Sequence, residues 1–184
     1  LDGRLILFLG AGSSIGSRNK QGESPPLSNA LAELIAKRIG WDYKNESLGT
    51  TYAAAKKTAG VEVEKLFAEQ YQYCSPSHEY LTLSKYPWTR IYTTNIDDAL
   101  ELALQNNSNQ DVSVKSRKDR VEDKDQLFKR LDYVYLNGSI RNKEQGFVFS
   151  PEEYGKSNAD IPLWYEEMAV DFFQCNFLFI GTKL

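Results

Sequence analysis

Three short segments combine residue types and spacings that suit chemistry at the tips of buried strands. The first is "GAGSSIG" (residues 10–16), which cuts off the apolar run "LILFL". Its glycines 10, 12 and 16 form G-x-G-x-x-x-G, one residue longer than the usual dinucleotide fingerprint. Glycine lets a ligand approach the backbone closely, and a row of free N–H groups suits a pyrophosphate. A plain strand-to-loop turn would use the same residues, and both readings stand. No G-K-[ST] follows, which argues against a nucleoside-triphosphate P-loop. No second strand ending in an acid lies at the distance an ordinary Rossmann dehydrogenase needs. The second segment is "TTNIDD" (residues 93–98), with the amide of Asn95 two residues before the carboxylate of Asp97. An amide holds a ribose hydroxyl or a water, and a carboxylate accepts from a carboxamide N–H. Helix capping by Asn95 or Asp97, with Asp98 in the first turn, is the competing reading. The third is "YLNGSI", where Asn137 and Gly138 also make a strong short-hairpin signal.

Two other candidates have plainer readings. In "SPEEYG", Ser150 as N-cap, Pro151 and Glu153 compose a capping box, against a catalytic role for Glu152 or Glu153. His78 is the single histidine; it falls at an expected helix start, where a surface or capping role is expected.

Alternating elements must position these segments. "RLILFLG", "RIYTT", "YVYL", "FVFS" and "NFLFIG" read as strands, and "DVSVKS" as a short one. "LSNALAELIAKRI" carries Leu27, Leu31, Leu34, Ile35 and Ile39 on one helical face, with Gly40 where a C-cap falls. Helices are also expected over about 47–59 and 61–73, in "DDALELALQ", in "KDQLFKRL" and in "IPLWYEEMAVDFF". Strands that are solid apolar runs alternating with helices predict an α/β fold: a Rossmann-like, mostly parallel sheet with helices on both faces. Ligands bind such sheets at the carboxyl ends of the strands, where "GAGSSIG", "NIDD", "NGSI" and "GTKL" all fall.

Composition bounds the rest. The 184 residues suit one domain, and a net charge of −3 does not predict a nucleic-acid or anionic-membrane binder. The basic stretch "KSRKDR" is offset by "VEDKD" and reads as a solvated mixed-charge face. Cys74 and Cys175 are too few and too far apart for a disulfide framework or a paired-cysteine metal site, which fits a reducing cytoplasm. No apolar run is long enough to span a bilayer. A chain that opens on Leu and stops just after an apolar run reads as a piece of a longer protein.

In order, "FLGAGSSIGS", "PPLSNALAELIA", "WTRIYTTNIDDALELAL", "YVYLNGSI", "FVFSPEEYGK" and "NFLFIGTKL" resemble the sirtuin-like domains of bacteria, in particular the branch that hydrolyses NAD+ in antiphage defence proteins. The similarity covers nearly the whole chain, and the Gly-Ala-Gly loop and the T-T-N-x-D-D segment are its specific parts. It implies one sirtuin-like NAD-binding domain over residues 1–184. By the resemblance, Gly10, Ala11, Gly12, Ser13 and Ser14 cradle the NAD+ phosphates. Asn95 and Asp97 face the nicotinamide ribose and carboxamide, with Thr94 and Gly138 beside them. Gly181 and Thr182 meet the adenosine half. The implied partners are NAD+ as substrate, a homo-oligomer and further domains of a full-length protein, without direct nucleic-acid or membrane binding.

Two departures bear on the activity. Protein-deacylating sirtuins usually carry four zinc cysteines; this chain has two, and a helical insertion over about 41–88 stands in place of the zinc module. That disfavours deacylation and implies no zinc. The family also has His-Gly where this chain has Asn137 and Gly138, and a neutral amide cannot take a proton. The implied function is hydrolysis of the nicotinamide–ribose bond to nicotinamide and ADP-ribose, with Asn95, Asp97 and Asn137 at the reacting centre. The alternative is a catalytically weak or inactive NAD+ or ADP-ribose sensor or scaffold.

Overall fold

Apolar runs too short for stable helices form the strands, and the longer 3.6-period segments form the helices that cover them. The computed structural model describes residues 4–122, 128–149, 153, 155 and 163–182. Its strands are β1 (Leu5–Leu9), β2 (Arg90–Thr93), β3 (Asp111–Ser116), β4 (Arg130–Tyr135) and β5 (Asn176–Ile180). They form one sheet in the order β3-β4-β2-β1-β5, and every neighbouring pair is parallel. Leu9 lies beside Thr93 and Ile180, and Thr93 beside Tyr135, so the chain leaves β1, β2, β4 and β5 along one edge. That edge gathers the small and polar segments.

Helices cover both faces of the central strands β1, β2 and β4, whereas β3 at one edge alternates polar and apolar residues and β5 at the other leaves Leu178 and Phe179 exposed. The helices are α1 (Ser28–Arg38), α2 (Leu48–Tyr71), α3 (His78–Leu83), α4 (Ala99–Asn107) and α5 (Leu163–Gln174). On one face Leu7, Leu9, Ile91, Tyr133 and Tyr135 pack with Tyr80 of α3 and with Ala99, Leu100, Ala103 and Leu104 of α4. On the other, Ile6, Tyr92 and Val134 pack against Trp164 of α5. Each fully buried aliphatic side chain here stabilises the fold by roughly 1.5–3 kcal/mol. Arg90, Tyr92 and Asp171 fasten α5 to the sheet through a buried ion pair and a 2.8 Å bond from the Tyr92 hydroxyl to Asp171.

α1 and α2 pack on each other beyond the strand tips, in a cluster with Ile96, Ile140 and Phe147. The Arg38 guanidinium on α1 pairs with Glu69 on α2. The two helices expected over about 47–59 and 61–73 join into α2, kinked where Ala59 leaves helical geometry (φ −145°, ψ 40°) beside Gly60. Ser47 starts α2 by accepting the Thr50 N–H at 3.2 Å.

Three expectations are corrected. "FVFS" is not a strand: residues 147–149 have no ladder partner among the described residues, and Phe147 and Phe149 meet the Phe67 ring of α2 edge to face instead. Residues 123–127 and 150 lie outside the described residues, but the helix expected in "KDQLFKRL" does not reach its end. Arg130 and Leu131 begin β4, paired with Asp111 and Val112. The basic stretch is not wholly solvated: Arg117 is 4% exposed, and its guanidinium donates to the Gln145 carbonyl at 2.8 Å.

Candidate functional site

The glycine loop leaves β1 as a single turn of 3-10 helix, Ala11–Ser14. Its glycines are required first by the tip of β5. The Gly10 N–H donates to the Ile180 carbonyl at 2.9 Å and the Gly12 N–H to the Gly181 carbonyl at 3.0 Å. A Cβ on Gly10 would stand 2.6 Å from the Gly181 oxygen, and one on Gly12 3.0 Å from it. Gly181 has φ +71°, and a side chain there would run into the backbone of Ser13. The Ser13 N–H is taken up by the Gly10 carbonyl at 3.0 Å. So the N–H groups of Gly10, Gly12 and Ser13 bond to carbonyls of the protein itself, while Thr182 touches the loop beside Gly10.

The tip of β2 lies against this turn. The Asn95 Nδ2 stands 3.0 Å from Ser13 Oγ, 2.9 Å from Ser14 Oγ and 3.3 Å from the Tyr80 hydroxyl. Ser14 Oγ donates to Asp97 Oδ2 at 2.7 Å, and the Ala99 N–H to Asp97 Oδ1 at 3.1 Å. Asp97 is 3% exposed. Burial raises its pKa above the ordinary carboxylate value, and the bonds from Ser14 and Ala99 partly offset that. Asn95 is also buried, and its Oδ1 has no hydrogen-bond partner among the described residues. Such an orphan is costly in a folded interior and calls for an explanation.

The capping reading of "TTNIDD" is partly realised. The N-cap of α4 is Asp98, whose side chain does not cap. Its carboxylate instead accepts the N–H groups of Tyr73 and Cys74 at 2.8 and 2.9 Å and Nε of Arg141 at 3.0 Å. Arg141 also reaches Glu101 at 3.2 Å, so Asp98 and Glu101 fasten loops rather than face a ligand.

Asn137 follows β4 and is half-buried. Its carbonyl accepts the Val148 N–H at 3.0 Å. The hairpin reading fails here, because β4 already has parallel neighbours on both edges. Gly138 has φ +96°, and a side chain there would meet the Gly146 carbonyl.

Ala11, Ser14, Thr94, Asn95, Asp97 and Asn137 border one cavity of about 170 Å³. That is below the roughly 300–1,000 Å³ of a typical small-molecule pocket, so it suits one ring-sized part of a ligand. Gly10, Gly12, Ser13, Gly138, Gly181 and Thr182 lie outside its lining. A second cavity, of about 620 Å³, flanks the other side of the loop and touches Gly12, Ser13, Tyr80 and Ile180. Sequence reasoning missed Tyr71, Phe149, Pro25 and Pro26, which wall the smaller cavity. Tyr71 donates to the Pro26 carbonyl at 2.7 Å; it carried only an apolar-stripe signal. His78 begins α3, exposed, and borders the second cavity. Glu153 accepts the Phe149 N–H at 2.9 Å, while Ser150, Pro151 and Glu152 lie outside the described residues.

Among the described residues, no group of three His, Cys, Asp or Glu side chains converges to hold a metal ion. No described helix is long and apolar enough to cross a membrane. A search among curated proteins finds no match. A family model described as SIR2-like domain matches residues 89–184, from just before β2 to the segment after β5. The match carries Asn95, Asp97, Asn137, Gly181 and Thr182; the glycine loop precedes it. The parallel sheet, the polar strand tips and a match over just over half of the residues agree: the chain belongs to the SIR2-like domain family, whose members bind NAD+.

Proposed function

We propose that this domain hydrolyses NAD+ at the nicotinamide–ribose bond, releasing nicotinamide and ADP-ribose, as an effector domain of an antiphage defence protein in the cytoplasm. The observation that carries this reading is that Asn95 and Asp97 both border a ring-sized cavity, and that the buried Asn95 Oδ1 has no hydrogen-bond partner among the described residues. The nicotinamide end enters that cavity. The phosphates pass over the turn formed by Gly10, Ala11, Gly12, Ser13 and Ser14, and the adenosine half lies towards Gly181 and Thr182. Thr94 and Gly138 shape the strand tips around the ribose.

The chemistry asks little of an acid. The C1′–N bond breaks with its electron pair passing to the pyridinium nitrogen, so nicotinamide leaves neutral and unprotonated. A water oxygen bonds to C1′, and its proton passes to solvent. Positive charge grows on the ribose in the transition state, and Asp97 is the one carboxylate among the described lining residues to stabilise it. Asn95 Oδ1 accepts from the attacking water or from a ribose hydroxyl, which gives the orphan its partner. Asn137 holds the ribose without serving as a base.

Asn137 also favours a second reading, a domain that binds NAD+ or ADP-ribose without cleaving it. Nicotinamide release from NAD+, beside calorimetric NAD+ binding, separates the two. Release that is lost in Asn95→Ala supports hydrolysis; tight binding with no release supports the sensor. Neither binding nor release overturns both.

A further inference from the structure

The Tyr80 hydroxyl sits inside a closed polar cluster that the proposed reaction does not use directly. Tyr80 belongs to α3, in the helical segment between α2 and β2, and is 2% exposed. Its oxygen lies 2.8 Å from Ser13 Oγ, 3.1 Å from Ser14 Oγ and 3.3 Å from Asn95 Nδ2.

Counting protons fixes the direction of these bonds. Ser13 Oγ donates its one proton to the Gly10 carbonyl at 2.7 Å. Ser14 Oγ donates its own to Asp97 Oδ2. Each hydroxyl therefore offers only lone pairs to its remaining neighbours. Asn95 Nδ2 has two protons for those two oxygens, and the Tyr80 proton supplements them at Ser13. Turned over, the amide would set Oδ1 against the lone pairs of both serines, a repulsive arrangement in a buried site. The orientation with Nδ2 inward and Oδ1 away from the hydroxyls follows from the network.

We infer that Tyr80 is a positioning residue: with Ser13 and Ser14 it locks the Asn95 side-chain amide so that Oδ1 is left for a ligand in the cavity. The inference rests on the proposed hydrolysis for its kinetic consequence, but not for its structural one. The serine hydroxyls then serve Asn95 and Asp97 rather than a phosphate.

The test is Tyr80→Phe, which keeps the ring that packs α3 against the sheet. In the wild-type chain the two Asn95 side-chain N–H protons should be resolved in the NMR spectrum and exchange slowly with solvent. In Tyr80→Phe their exchange should quicken, with the melting temperature nearly unchanged. Nicotinamide release should lose about tenfold in kcat, with KM held within about twofold, because a misdirected Oδ1 fails in the transition state more than in binding. Ser13→Ala should reproduce both effects, and the double variant should be little worse than either single one. If Tyr80→Phe does not fold, Ser13→Ala carries the test alone. Unchanged exchange of the Asn95 amide, or a KM rise that accounts for the whole loss, overturns the inference. If no variant or wild type releases nicotinamide yet exchange quickens, the positioning stands and the hydrolysis reading falls.

Discussion

Replacing Asn137 by histidine puts a titratable group where the cavity has none on that side. The backbone accepts it: the positive φ of this turn falls on Gly138 at +96°, and position 137 is not among the described residues with positive φ. The Asn137 carbonyl keeps its bond from the Val148 N–H whatever the side chain. Stability should therefore change by less than about 1 kcal/mol, as for a half-exposed position outside the core. A general base contributes about 10²- to 10⁴-fold. The lower end applies, because nicotinamide departs without a proton and the transition state is charge-separated before water is deprotonated. Asp97 does not supply the missing base, since its two oxygens are already engaged by Ser14 and by the Ala99 N–H. We expect kcat for nicotinamide release to rise about 10²-fold, or ~2.7 kcal/mol in the barrier. KM should barely move. The imidazole acts as a base only when neutral, so the added rate should appear as pH rises through the histidine range, about pH 5 to 8. Initial rates at saturating NAD+ across that range, with melting curves alongside, measure all three. A folded Asn137→His protein with wild-type kcat and no new pH dependence would refute the placement of position 137 beside the reacting ribose.

Asn95→Ala should abolish nicotinamide release and also lower stability by about 1–3 kcal/mol, since Nδ2 gives up its buried bonds to Ser13 and Ser14; turnover retained by the folded variant places the reacting end elsewhere. Gly12→Val should weaken NAD+ binding and also destabilise the fold, by about 1–3 kcal/mol, because its Cβ would begin 3.0 Å from the Gly181 oxygen and the branches would press further; calorimetry and denaturation of the same sample check both. For Asp97 the folded pKa is raised by burial, so its contribution to stability is fully present below the unfolded value and is lost as pH rises through the folded value. Asp97→Asn should thus gain on wild type in denaturant midpoint as pH rises above about 4, while losing turnover; parallel pH profiles of the two proteins would contradict the assignment.

The strand β1 was legible because a parallel strand buried on both faces must be a short apolar run, as in "LILFL"; "NFLFI" has the same composition although β5 is an edge strand with Leu178 and Phe179 exposed. Parallel pairing then forces the following residues onto one edge, so the meeting of Ala11, Asn95 and Asn137 was foreseeable without any knowledge of packing. The run "FVFS" looks the same by composition, yet its rings serve the aromatic cluster of α2. Periodicity carries no information on which surface an aromatic run will meet. Arg117 was misread for a related reason: a charge run is solvated only if no carbonyls converge on it, and those of Gln145 and Gly146 do. The contact of Gly10 and Gly12 with Gly181 crosses nearly the whole chain, so a ligand was the nearer explanation for the glycines.

The helical segment deserves a different description from that of a substitute for a zinc module. Leu48 and Tyr71 of α2 border the smaller cavity, and Tyr80 of α3 supports its polar floor. Tyr71 also donates to the Pro26 carbonyl, which ties the proline pair on the cavity wall to the end of α2. α3 has only six residues, too few to be stable alone, so Tyr80 is held by tertiary packing and by the Ser77 cap at 3.2 Å. The segment after α2 is in turn tied to the start of α4, because Asp98 accepts the N–H groups of Tyr73 and Cys74. The sheet supplies the strand tips, and the helical segment supplies Tyr80, whose hydroxyl meets the two serines that hold the Asn95 amide, one of which also holds the Asp97 carboxylate.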